Sequence, residues 1–492
     1  MMPNIFNLAV SRRGLLLGGA SLSLAASLPQ PLRAAQAPKE FTLAAAPARL
    51  ALLGPRRPAT AVWCYGGQIP GPELRVRQGE RLRVLVENRL PEETTVHWHG
   101  VRVPNAMDGV PHVTQKPIQP GETFVYEFEC PDAGTFWYHP HQRSFEQVGR
   151  GLYGALIVDD REPVPVDRDV TWALGDWRLL PDASISEDFG NFHDVSHAGR
   201  IGSTVTINGR VPEMFPVRAN ERLRLRLINA ANARIFGIKF EGHRPTVIAL
   251  DGQPVEPHTP PGGVVLGPGM RYDLLLDLTR KPGERFRVLD TFYQGLEYRL
   301  TDLVYSPEPP VRERPLETSV KLPGNPLAEP YLTNSARREI VLGGGMMGMM
   351  GGGMMGGGMM GGGMMGGGMM GGMMGGMMNM MNSERVWTVN GIAGTDHLKA
   401  PLLTVARNRT IVLSLVNDTA WHHAMHVHGH VFRVLRRQGK PTALREWQDT
   451  VLMAARERVE IAFVADNPGD WMFHCHMLEH QAGGLMGTIR VA

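Results

Sequence analysis

Apolar and polar residues alternate with a period of two along much of the chain. The pattern is clearest in three basic stretches, "RLRVLVEN" (Arg81–Asn88), "RLRLRLIN" (Arg222–Asn229) and "RTIVLSLVN" (Arg409–Asn417). Such alternation puts leucine and valine on one face of a β-strand and arginine on the other. Each stretch follows a glycine turn, ends on asparagine and precedes a second segment that closes on glycine. The three copies start at "YGGQIP" (Tyr65), "INGRVP" (Ile207) and "VNGIAG" (Val389). Turn residues between short runs, with no long amphipathic helix, predict an all-β protein. A repeat of this length is a whole β-sandwich and not a solenoid unit. Three sandwiches are expected, over residues 40–160, 165–310 and 335–492, with a Pro-rich connection from Tyr305 to Pro326 before the last.

The copies differ where each repeat closes. The first ends "HWHG" (His97, His99) and the third "HVHG" (His426, His428), whereas the second has Lys239 and Glu241 in the equivalent places. A fold cannot need histidine there if its middle copy dispenses with it, so the outer sandwiches bind something the middle one does not. Two further clusters lie in the outer copies: "WYHPH" (His139, His141) and "HCHMLEH" (His474, Cys475, His476, His480). With His423 of "HAMHVHGH", the clusters hold ten of the eighteen histidines. On a strand, residues i and i+2 share a face, so His474 and His476 point to one side and Cys475 to the other. One strand can then serve two metal centres. A thiolate with two imidazoles, His423 and His480, is the donor set of a blue-copper site. The remaining eight paired imidazoles suit several coppers better than one zinc, which takes four ligands.

Outside these clusters the chain bounds the setting. "SRRGLLLGGASLSLAASL" (Ser11–Leu28) places two arginines before a short apolar run, the pattern of a twin-arginine export signal, and residues 1–37 are read as that signal. Its loss removes Arg12, Arg13 and Arg33 and takes the formal charge from +3 to 0. A neutral chain gives no argument for nucleic acid or an anionic membrane as partner. No later segment is long and apolar enough to insert in a bilayer. Of three cysteines, Cys64 and Cys130 are candidates for a disulfide, which leaves Cys475 as the free thiol.

The four clusters together closely resemble those of the three-domain multicopper oxidases, and most of all the bacterial laccase and cuprous oxidase branch. The resemblance covers most of the chain. It implies three cupredoxin-like Greek-key sandwiches and four copper ions. A type 1 copper would lie on His423, Cys475 and His480, and a type 2 copper on His97 and His426. A type 3 pair would lie on His99, His139, His141, His428, His474 and His476. It further implies an oxidoreductase that takes single electrons from Cu(I) or a small aromatic reductant and passes them through Cys475 to His474 and His476. Four of them would reduce dioxygen to water. Asp108 of "NAMDGVPH" matches the family's acidic residue near the type 2 copper; an Asp-Gly turn is its plainer reading. The family's axial type 1 position falls on Leu485, with Met486 as the alternative if the register shifts. Where relatives often carry an acid after the last histidine this chain has Gln481, and Glu479 is expected to point elsewhere. His112, His422 and His430 are read as supporting or structural.

One segment is compositionally unlike the rest. Residues 343–381 are glycine and methionine in runs, with Met346, Met347, Met349, Met350, Met354, Met355, Met359, Met360, Met364, Met365, Met369, Met370, Met373, Met374, Met377, Met378, Met380 and Met381 making nine pairs. So much glycine argues against a helix, because each Gly costs roughly 0.8–1 kcal/mol relative to Ala. A flexible linker has no packing reason to carry methionine, while thioethers are soft donors that select Cu(I). The tract is therefore expected to gather Cu(I); sacrificial methionine oxidation is the alternative. The expected protein is a monomeric periplasmic multicopper oxidase of copper tolerance that oxidises Cu(I) and phenols. The alternatives are a laccase with an organic reductant and a methionine-rich copper-buffering protein.

Overall fold

In each basic stretch the final asparagine turns the chain. Asn88 donates to the carbonyls of Glu92 and Ile118 and accepts from Leu90 N–H. Asn229 does the same with Arg234, Leu266 and Ala231, and Asn417 with Trp421, Ala454 and Thr419. One buried amide thus ties the strand end, the following loop and a neighbouring segment in every copy. The middle copy keeps this device and lacks the histidines, which separates what folds the repeat from what the outer copies add.

These details come from a computed structural model that describes residues 37–346, 386–394 and 400–492. The twin-arginine segment and the methionine tract from Met347 onward lie outside the described residues. Pro38–Ala492 forms one compact unit. Its larger sheets fall into three pairs. The first joins a sheet of Thr60–Tyr65, Lys39–Leu50, Arg81–Asn88 and Thr123–Glu129 to one of Gly71–Arg77, Gly154–Asp159, Gly134–His139 and His97–His99. The second pair is built from strands between Arg168 and Tyr305. In the third pair, one sheet orders Leu403–Val405, Met486–Val491, Gly469–Cys475, His423–Val427 and Thr450–Met453. Each pair closes over its own apolar core, as alternating burial predicts.

Two expectations need correction, and one pattern gains a meaning the sequence does not carry. Cys64 and Cys130 are both free, buried thiols in different apolar clusters, so they form no disulfide. The arginine face of the middle stretch is buried. Arg224 and Arg226 are buried and pair with Asp160, Asp169 and Asp273, while Arg226 also donates to Thr135 Oγ1 of the first sheet pair. The period-2 alternation thus sets its polar face against the neighbouring sandwich. Finally, Gly343 and Gly344 are not part of a loop; they belong to strand Ala336–Gly344 and pair with Thr388 and Trp387.

Candidate metal centres

Two strand pairs, one in each outer sandwich, carry His97, His99, His139, His423, His426 and His474; His141, His428 and His476 lie just past strand ends, and His480 sits on the helix Leu478–Ala482. His97 lies opposite His139, and His426 lies opposite His474, with Met425 opposite Cys475. All ten cluster histidines and Cys475 are buried. Donor atoms lie within 4.8 Å of one another in His97, His99 and His426; in His99, His139 and His476; in His141, His428 and His474; and in His423, Cys475 and His480. The structure thus brings together every cluster residue singled out in the sequence, and three of the four groups join side chains from both outer sandwiches or their edges.

Hydrogen bonds fix how the rings face. Nδ1 of His97, His139, His426 and His474 lies 2.8, 3.0, 2.8 and 2.9 Å from the carbonyls of Asp108, Pro140, Asp449 and Cys475. A carbonyl only accepts, so each of these rings carries its proton on Nδ1 and a lone pair on Nε2. His97 Nε2 and His426 Nε2 have no partner although both are buried. His428 Nε2 and His474 Nε2 face each other at 3.0 Å, and His139 Nε2 and His476 Nε2 at 3.4 Å. His99 is turned the other way. Its Nε2 meets Asp449 Oδ1 and Thr450 Oγ1 at 3.0 and 3.1 Å, which leaves Nδ1 unpartnered. His141 Nε2 and His476 Nδ1 are also without a partner.

Burial pushes the pKa of His99, His139, His141, His428, His474 and His476 far down, and neighbouring imidazoles add to it. These buried rings are neutral at pH 7, with their donor nitrogens gathered within 4.8 Å of one another in each group. Orphaned buried nitrogens and facing lone pairs are costly unless a cation satisfies them. The donor set therefore fits metal ions, and imidazole suits copper.

The second centre is smaller. Cys475 Sγ lies 3.6 Å from His423 Nδ1 and 3.8 Å from His480 Nδ1, and the two nitrogens are 3.1 Å apart. The outer nitrogens are held at 2.9 Å by Thr419 Oγ1 and at 2.7 Å by the His197 carbonyl. Burial raises the Cys475 thiol to about 12, so only a bound cation would make it a thiolate at neutral pH. Trp387 packs 4.4 Å from the His480 ring and donates to the Val195 carbonyl. Leu485 is fully buried in the same core as Cys475, whose N–H donates to its carbonyl. Met486 is half-buried and lies against Gly394.

Asp108 does more than make a turn. Its backbone carbonyl holds His97, and its Oδ2 lies 2.9 Å from His428 Nδ1. Gln481 reaches His141 Nδ1 at 3.4 Å and accepts from Ser144. Glu479 is buried, accepts from Asn232 at 3.0 Å and is raised to about 7 by burial. His430 contacts the His428 carbonyl at 3.2 Å, while His422 packs on Phe292.

Sequence reasoning missed the buttress behind the cluster. Arg271 of the middle sandwich grips Asp449 of the third with two bonds of 2.8 and 2.6 Å and donates to the Thr135 carbonyl of the first. Asp449 in turn holds His99, and Asp251 of the middle sandwich accepts from Thr450 N–H at 3.1 Å. Gly100, the glycine of "HWHG", sits at φ +84°, where a Cβ would overlap Arg271 Nη2 and Asp449 Oδ2. An Arg in "GPGMRYD" and an Asp in "WQDT" carry no signal on their own; only the packing of three sandwiches unites them.

Models of the multicopper oxidase family match residues 52–163, 168–296 and 373–492. A multicopper oxidase named MmcO from Mycobacterium tuberculosis is 30% identical over 90% of this chain and 85% of its own length. The chain is a multicopper oxidase. This oxidoreductase is also 27% identical to copper resistance protein A of Escherichia coli, with 96% of each chain covered. The crystal structure of a multi-copper oxidase from Pseudomonas thermotolerans superposes with a TM-score of 0.78 at 33% identity, over 93% of this chain and 100% of that one. The three sheet pairs are accordingly cupredoxin-like, and copper is the metal the family implies for the centres above.

Proposed function

We propose that this multicopper oxidase oxidises Cu(I) in the periplasm at the expense of dioxygen, in copper tolerance, and holds four copper ions. His423, Cys475 and His480 would hold the type 1 ion, and His97 and His426 the type 2 ion. Two groups, His99 with His139 and His476, and His141 with His428 and His474, would hold the type 3 pair. Copper so bound supplies one-electron oxidation of the reductant and four-electron reduction of dioxygen to water. The observation that carries the reading is that Cys475 belongs to one group while its covalent neighbours His474 and His476 belong to two others. The backbone between them is a short bonded path that needs no motion.

The chain's own residues do the rest. Carbonyls and Asp449 fix the ring tautomers, and burial keeps His99, His139, His141, His428, His474 and His476 neutral. Asp108, set between His97 and His428, is placed to accept and hand on protons drawn in by oxygen reduction. Leu485, buried beside Cys475, has no thioether to offer a bound copper, which would leave the oxidised ion less stabilised.

The Cu(I) reading rests on the methionine tract and is supported by where its described flanks lie. Gly345 packs on Trp387, Val386 directly precedes it, and Trp387 lies on the His480 ring. The copper resistance relative points the same way. No helix among the described residues is long and apolar enough to cross a membrane, and the twin-arginine segment argues for export. A laccase with an organic reductant is the second reading, favoured by the buried Leu485. Oxygen uptake with Cu(I) and with a bulky phenol, measured with and without residues 347–381, separates them. Loss of Cu(I) oxidation with phenol oxidation kept or raised supports the first, and the reverse supports the second.

A further inference from the structure

The shell around the Cys475 centre contains two histidines that the four clusters leave out. A short helix, Phe192–Ser196, runs over this centre. It is capped by Asn191, and its Val195 carbonyl accepts from Trp387 Nε1 at 2.6 Å. The next residue, His197, gives its backbone carbonyl to His480 Nε2 at 2.7 Å. His480 is one of the two imidazoles beside the Cys475 sulfur, so His197 is bonded to the centre through its main chain while its side chain turns outward.

That side chain is set up as a donor. His197 Nδ1 lies 3.0 Å from the His193 carbonyl and 2.9 Å from Ser196 Oγ. The Ser196 hydroxyl spends its own proton on the Phe192 carbonyl at 2.6 Å. Both neighbours of Nδ1 therefore accept, the ring proton sits on Nδ1, and Nε2 is left with its lone pair. This is the tautomer a metal-ligating histidine shows when a backbone carbonyl holds its other nitrogen. One helical turn earlier, His193 stacks on it with ring centroids 4.4 Å apart and planes inclined by 12°, and its side chain is 78% exposed. Stacking brings the two side chains together although His197 lies just past the helix end, and turning the exposed His193 ring, whose Nδ1 lies 3.8 Å from Asp194 Oδ1, would let both nitrogens meet one ion. Trp421 closes the inner side, 5.2 Å from His197, and also packs against Gly345, the described residue at the start of the methionine tract.

We infer that His193 and His197 form the docking site for the Cu(I) substrate, with the His197 carbonyl–His480 hydrogen bond as the electron's way in. The inference rests on the cuprous-oxidase reading and assigns it a site. A monovalent copper ion is satisfied by two imidazoles, so the pair needs no third protein ligand. Each Cu(I) gives up one electron and leaves as Cu(II), and four such electrons, with four protons, convert one dioxygen to two waters. A bulky phenol has no use for two imidazole lone pairs.

The test uses the copper-loaded full chain and the double variant His193→Gln/His197→Gln, which keeps the His197 main chain. The ratio of kcat/KM for Cu(I) to kcat/KM for a bulky phenol should fall by about tenfold or more, as when a metal's supporting residues are lost. Equilibrium dialysis against Ag(I), a soft monovalent ion that cannot donate the electron, should show the variant taking up one ion fewer than the wild type. An unchanged ratio, or equal Ag(I) uptake, overturns the inference. If the wild type fails to oxidise Cu(I), the functional reading falls by itself. In that case the Ag(I) difference alone decides the site: one ion fewer upholds it and equal uptake rejects it.

Discussion

The two candidate metal centres of this protein are supported in different ways. Around the eight-histidine cluster, outer ring nitrogens are tied to carbonyls, to Asp108 and to Asp449, and the support comes from all three sandwiches through Arg271 and Asp251. Around Cys475 the support is a single hydroxyl, Thr419, and a single carbonyl, His197, on a half-buried segment. A four-electron reaction with dioxygen needs a dry, rigid site, since each orphaned lone pair must stay aimed. An electron-entry site needs one edge near the surface. The middle sandwich gives no histidine to the eight-histidine cluster, yet it anchors that cluster through Arg271 and Asp251.

The contrast can be broken most severely at the link between the centres. Cys475→Ser should abolish the blue thiolate-to-copper absorption and steady-state oxygen uptake, while leaving copper in the histidine cluster; metal analysis with a visible spectrum checks both. Next in size is Asp449→Ala, which takes the nearer carboxylate from buried Arg271 and leaves it Asp251 at 3.5 Å. Breaking such a pair costs about 3–5 kcal/mol, and loss of the His99 support should weaken copper retention by about 10–100-fold. Thermal unfolding and copper dialysis read the two effects, and the Cys475 colour should survive in whatever protein remains folded. Gly100→Ala, which puts a methyl group at positive φ against the Arg271–Asp449 pair, should cost about 1–3 kcal/mol, seen as a lower Tm. Leu485→Met should lower the potential of the Cys475 centre without affecting the cluster's copper content; a redox titration that finds it unchanged or raised contradicts the axial assignment.

The smallest effect concerns acid stability of the seam between the first two sandwiches. Burial pushes the Asp169 carboxyl up, but its bonds to Arg226, with Arg224 and Arg75 nearby, outweigh this and hold it below 3.8. A depressed folded value means that the stabilisation is present above the unfolded pKa and is lost as pH falls through the folded one. Asp169→Asn should therefore flatten the decline in stability below about pH 4, measured as Tm against pH.

Much of this architecture can be read from the chain because it repeats. The alternating strands, the terminal asparagines and the histidine pairs recur in register, and a histidine pair missing from one copy marks the others as functional. What escapes the sequence is whatever depends on docking between sandwiches. Arg224 and Arg226 look like a solvent face until a second sandwich covers them. Asp449, Arg271 and Gly100 come from three repeats and mean little apart. The contribution of His197 to His480 is a carbonyl, which every residue has. Cys64 and Cys130 show the opposite error: two cysteines in a chain read as exported suggest a bridge, but each is packed as a small apolar residue in a separate core.

The central claim, that one thiolate and ten imidazoles hold copper in two linked centres, is tested most directly by the copper content and visible spectrum of the fully reconstituted wild-type protein. The account predicts four copper ions per chain and an intense blue absorption. Saturation at one or two ions, or a colourless protein at full loading, would contradict it.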